Sequence, residues 1–184
     1  WYSPDLIQDL LTSPVPHEIG SHSFSHIDFS ATHSTPELVE DEIRACARAM
    51  GAFGLPLRSL VYPFNRMGHH HLPLLATLGI TAVRHRDERI RLSYPERSES
   101  GVYKLYESMN LRRSQAYHYP DKAALFIKKA IQRRAAFHIW FHPSDPTDTF
   151  TDVFWPILDL VADLRDKGLI WTATMGALVA YVEL

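Results

Sequence analysis

At 184 residues and 46% hydrophobic content, the chain is long enough for one domain with a substantial core. A net charge of −2 and the lack of any dense Lys/Arg tract exclude an electrostatic nucleic-acid footprint. The single cysteine, Cys46, excludes an intramolecular disulfide, and no apolar run is long enough to span a bilayer.

Residues Pro4 to Leu11 read as a helix, followed by a short strand around Glu18 to Ser21. Thr35-Pro36 is a helix start, with threonine as N-cap and proline at the first helical position. Leu38, Ile43 and Ala47 mark its expected buried face, and Gly51 or Gly54 ends it. Cys46 in this helix reads as a small core residue. Ser59 to Tyr62 is a strand stopped by Pro63. A short helix around Leu72 to Leu78 leads through Gly79 into a strand over Ile80 to Val83. Val102 to Tyr106 alternates like a strand, Asp121 to Arg134 reads as a helix, and Ala136 to Phe141 as a strand closed by His142-Pro143. A long helix from about Asp152 stops at Gly168, Leu169 to Ala173 is the expected last strand, and a helix finishes the chain.

Strands alternating with helices argue for a parallel sheet, open or closed into a barrel. His22, Asn65, Arg84, His142 and Thr172 to Thr174 each fall at or just past the C-terminal end of an expected strand. In a βα barrel those ends gather on one face, where active sites lie. Arg84, Arg86, Arg89 and Arg91, interrupted by Asp87 and Glu88, read as a solvated or substrate-facing strand edge.

The richest stretch is His17-Glu18-Ile19-Gly20-Ser21-His22-Ser23-Phe24-Ser25-His26. Imidazole is a good ligand for zinc and similar borderline metals, and the spacing of His22 and His26 lets both rings converge on one ion. Two solvated loop histidines are the plain alternative. The stretch resembles the histidine motif of the polysaccharide deacetylases, the carbohydrate esterase family 4 that shares the NodB homology domain. The resemblance runs from roughly Ile7 to Tyr181. It implies a single α/β domain, a distorted (β/α) barrel, whose first strand or strands are expected to be missing from this chain. The start at Trp1-Tyr2-Ser3-Pro4, without an initiator methionine, fits that expectation and leaves the compartment open.

The implied activity is metal-dependent hydrolysis of acetyl groups, chiefly N-acetyl, from a polysaccharide or amino-sugar glycan. The implied metal is Zn²⁺, with Co²⁺ or Ni²⁺ as alternatives, held by His22 and His26. In the family the third ligand and the base come from a Thr-Phe-Asp-Asp-like motif, which the 21 residues before His22 do not contain. Asp28 reads as a loop residue capping a turn, or else as a substitute ligand; Asp145 and Asp148 are later candidates.

Val61-Tyr62-Pro63-Phe64-Asn65-Arg66 resembles the family's Arg-x-Pro-Tyr motif, retaining Pro63 and Phe64. Its arginine falls on Val61, with Arg66 a candidate replacement. The backbone N–H of Phe64 is the expected oxyanion donor, unless Pro63 simply terminates a buried strand. His138 to Pro143 is similar to the closing Leu-x-His motif, which implies that His142 is the general acid. His138 reads as a buried histidine on the same strand face, Trp140 as a pocket wall, and Ile139 and Phe141 as core. The family's Asp-x-x-Asp-Trp pattern is not recognisable, and Arg84 is the nearest candidate for a polar partner of the acid. Trp171 reads as core or pocket wall.

His69-His70-His71 are splayed about 100 degrees apart on a helix and are not read as a metal site. Tyr103, Tyr106, Tyr117 and Tyr119 are candidates for stacking on sugar rings or for packing. Three functional readings follow: a deacetylase; a catalytically inactive glycan-binding or structural relative; and a different metal hydrolase using Asp28. An acetylated glycan is the expected partner, with no membrane span. A barrel lacking a strand exposes an edge, so a chain that is homo-oligomeric, domain-swapped or poorly soluble is expected.

Overall fold

The computed structural model describes residues 3–86, 92–111 and 119–184. Arg89, Arg91, Asp87, Glu88 and Tyr117 lie outside the described residues. The chain divides into two compact units: Trp1–Ala82 with Ala173–Leu184, and Val83–Thr172.

In the first unit, α1 (Pro4–Thr12) and α2 (Pro36–Gly51) both start with proline in the first turn. Thr35 caps α2 by accepting the Leu38 amide, which satisfies one of the donors a helix start leaves over. The buried face of α2 is Val39, Glu42, Ile43 and Cys46. This corrects the expected face: Leu38 is 39% exposed, and Ala47 is exposed as well. The buried stripe runs through Glu42 and so is rotated from the face that Leu38, Ile43 and Ala47 mark. Strand β1 (Ser59–Val61) ends before Pro63 as expected.

Ser21 bonds β1 as a single parallel bridge rather than as a strand: its N–H donates to Ser59 O and its carbonyl accepts from Val61 N, both at 2.9 Å. Beside β1, Arg58 O accepts from both Thr81 N and Ala82 N. That shared acceptor delays regular pairing, and β2 runs over Ala82–His85 instead of Ile80–Val83. Arg84 is therefore inside its strand, not past the end.

Helix α3 (Leu72–Thr77) follows a one-turn 3₁₀ segment, His69–His71. Buried His71 bonds Ser34 Oγ at 2.9 Å. Phe29, Leu60, Tyr62, Leu75 and Ile80 are at most 2% exposed and form the centre of this unit. The last helix, α7 (Met175–Val182), belongs here too. Thr174 caps it through the Ala177 amide. Glu18 accepts the Gly176 amide at 2.7 Å, across 158 positions of sequence.

In the second unit β4 (Tyr103–Tyr106) pairs antiparallel with β3 (Glu96–Arg97). β5 (Met109–Asn110) pairs in parallel with β6 (Ile139–Trp140), register Met109 to Ile139. The predicted strand over Ala136 to Phe141 is thus two residues long. Helix α4 (Tyr119–Arg133), a short turn α5 (Thr147–Thr149), a π turn over Phe150–Phe154 and α6 (Trp155–Asp166) complete the unit. Its core is Met109, Leu111, Tyr119, Ala123, Val153 and Ile157, with Ile139 and Phe141 packed against it as their alternation implies.

Leu169 to Ala173 forms no strand; Leu169 is 54% and Trp171 56% exposed. Trp171 is therefore not core. Tyr103, Tyr106 and Tyr119 are buried packing residues. Among the described residues no helix is long and apolar enough to cross a membrane.

Candidate active site

In the first unit the two motif histidines stand on a loop that leaves the Ser21 bridge. Both are exposed, with ring centroids 4.9 Å apart and planes at 73°. His22 Nδ1 lies 2.8 Å from Val61 O. A carbonyl only accepts, so Nδ1 carries the proton and the lone pair is on Nε2, the tautomer a metal-binding imidazole uses. The His26 ring also meets Phe64 edge-on, with centroids 4.6 Å apart.

The backbone beneath these rings is unusual. Ser23 and His26 have φ of 65° and 61°, and Phe64 and Asn65 have 56° and 54°. Non-glycine residues enter the left-handed region at a cost and persist there only when their surroundings hold them. The holding bonds are visible. Ser21 Oγ accepts from Ser23 N and donates to Cys46 Sγ, and Ser23 Oγ accepts from Ile27 N. The Phe64 amide takes no part in its turn's two bonds, Asn65 N to Tyr62 O and Arg66 N to Pro63 O.

Sequence reasoning missed Glu42 on α2, which is 7% exposed. Its Oε2 accepts from the Phe24 and Ser25 amides, both at 2.8 Å, and its Oε1 from the Ser25 hydroxyl at 2.5 Å. Burial pushes this carboxyl up, but the bonds from Ser25, Phe24 and Ser23 outweigh it and hold it below the usual range. The available signal was an acid among the apolar positions Val39, Ile43 and Cys46.

Asp28 caps a turn: its Oδ1 accepts from Ser30 N at 2.9 Å. Its Oδ2 pairs with Arg66 Nη1 at 2.5 Å. Arg66, the candidate replacement for the family's arginine, is thus paired with this turn-capping carboxylate. A hydrolytic zinc site uses three protein ligands, and the two imidazoles are suitable for two of them. Among the described residues no group of three or more His, Cys, Asp or Glu is assembled to hold an ion.

In the second unit, Trp140 connects the other candidates. The Arg84 guanidinium lies over its ring, 4.5 Å from the centroid, and the His142 ring meets it edge-on at 5.2 Å. Arg84 and Arg86 both face Glu107, at 3.9 and 3.4 Å. The His142 amide donates to Asp145 Oδ2 at 2.9 Å, which anchors the strand-end turn. His138 is partly buried, and removal from solvent together with the Arg84 charge pushes its imidazole down to about 4. It is neutral at pH 7. His138 thus precedes β6 and His142 follows it, both partly buried.

Residues 2–83 match the family model described as polysaccharide deacetylase. That segment is similar to the polysaccharide deacetylases. It carries the His22–His26 loop, β1 and the Phe64 turn, so the deacetylase reading has its footing there. A solved structure described as a "putative polysaccharide deacetylase from Mycobacterium smegmatis" is similar over 98% of this chain and 67% of that one. Its TM-score is 0.75 at 15% identity, which extends the likeness of fold through the second unit. No curated protein matches the chain.

Proposed function

We propose that this polysaccharide deacetylase relative hydrolyses acetyl groups, chiefly N-acetyl, on an amino-sugar glycan. The observation that carries the reading is the Val61 carbonyl bond to His22 Nδ1, which directs the ligating lone pair to Nε2 beside His26. A zinc, cobalt or nickel ion supplies Lewis acidity when bound to such a pair. The Phe64 amide stabilises negative charge developing on the acyl oxygen. His142 donates a proton to the leaving amine, and the exposed rings of Phe24 and Phe64 offer faces for a sugar.

Acetate release from N-acetylated chito-oligosaccharides, with zinc added, tests this. Zinc uptake is expected in the parent chain and lost in His22→Ala, and where acetate is released His142→Ala is expected to lose about 10²–10⁴-fold in kcat. Glycan binding with neither acetate release nor zinc uptake would instead make the chain a non-catalytic glycan-binding relative.

A further inference from the structure

We infer that Glu42 is a positioning residue: from α2 it sets the conformation of the loop that presents His22 and His26. The inference rests on the reading of those histidines as the working pair. Three donors from two consecutive residues, Phe24 and Ser25, converge on this one carboxylate. These residues lie midway between the histidines, and both flanks of the segment, Ser23 and His26, are in the left-handed region. A hydrogen-bonded anchor at the centre is what keeps such a backbone from relaxing to ordinary angles. One helical turn on, Cys46 accepts from Ser21 Oγ at the loop's base. One face of α2 therefore holds both the root and the tip of the loop. Its bonds run to the Phe24 and Ser25 amides and the Ser25 hydroxyl, so Glu42 acts through the loop between the imidazoles.

This assigns different fates to two substitutions. In Glu42→Gln the carboxamide oxygen still accepts both amides, and Ser25, whose hydroxyl can donate or accept, reverses its bond. In Glu42→Leu all three donors lose their partner. Imidazole ¹H–¹⁵N NMR and amide exchange on the full 184-residue chain read the outcome without any metal. Glu42→Leu is expected to displace the His26 ring signals and to speed exchange at Phe24 and Ser25 by at least about tenfold, leaving α2 and β1 protected. Glu42→Gln is expected to restore the parent pattern.

Unchanged histidine signals in folded Glu42→Leu, or Gln as damaging as Leu, would overturn the inference. Should Glu42→Leu fail to fold, Ser25→Ala decides. Displaced His26 signals there, alongside parent-like Glu42→Gln, support the anchor, and Ser25→Ala spectra identical to the parent refute it. Zinc titration of the parent and of His22→Ala tests the working-pair reading on its own, so the two can fail separately.

Discussion

The Asp28–Arg66 pair joins the histidine loop to the turn that carries Phe64, and its strength is measurable. Partial burial raises the Asp28 carboxyl, but bonds from Ser30 and Arg66 prevail and hold it at about 2, against an ordinary 3.8. Were that whole difference stability, it would amount to about 2.5 kcal/mol. The Arg66 side chain is 58% exposed, however, and water screens such pairs, so about 1 kcal/mol is expected. As pH falls, the unfolded chain takes up this proton first. The contribution is therefore complete above 3.8 and fades as pH drops through about 2.

Urea unfolding of the parent, Asp28→Asn, Arg66→Met and the double variant at neutral pH gives the coupling directly. About 1 kcal/mol is expected at low ionic strength and less at about 1 M salt. The gap between parent and Asp28→Asn should narrow as pH falls from about 4 to about 2. A coupling under about 0.3 kcal/mol with all four proteins folded, or a gap indifferent to that acidification, would refute the reasoning.

His138 has its own pH signature. With the folded imidazole pushed from 6.5 down to about 4, the unfolded chain binds that proton first, and stability declines as pH falls through this window. Replacing His138 with Gln should flatten thermal unfolding across the window by about 1–2 kcal/mol, discounted for partial exposure; a slope that survives the replacement counts against it. At Gly68 a Cβ would lie 2.5 Å from Phe29 O and 2.8 Å from His71 Cδ2. Gly68→Ala should lower stability by about 1–3 kcal/mol, whereas Gly51→Ala, with nothing within 4 Å, should not. Calorimetric Tm values for the two would separate steric from entropic effects, and a harmless Gly68→Ala would contradict the tight approach.

Local chemistry was readable where its mechanism is local. Thr35-Pro36 announces a capped helix whatever surrounds it, and Pro63 stops β1 because it cannot extend a ladder. The His22–His26 spacing is legible because both rings lie on one short loop. Other features depend on partners far along the chain. Arg66 meets Asp28 across 38 positions, and no pattern near either residue announces the meeting. Glu42 reads as a surface acid until the amides of Phe24 and Ser25 are seen against it. The two-residue displacement of β2 follows from Arg58 accepting two successive amides, a matter of register that propensity does not carry. Leu169 to Ala173 shows the converse, since its apolar composition suits a strand but its side chains stay largely exposed.

The Glu18 carboxylate on the first turn of α7 has a consequence for biosynthesis. The unit it secures is discontinuous, completed by residues 173–184, whereas residues 83–172 form a contiguous unit. During translation the contiguous unit can fold as soon as it emerges, while the histidine-bearing unit waits for the last helix. Its closing contact spans 158 positions and bears the entropy of a long loop. A chain cut before Ala173 would thus hold every residue of the second unit and leave the first without α7.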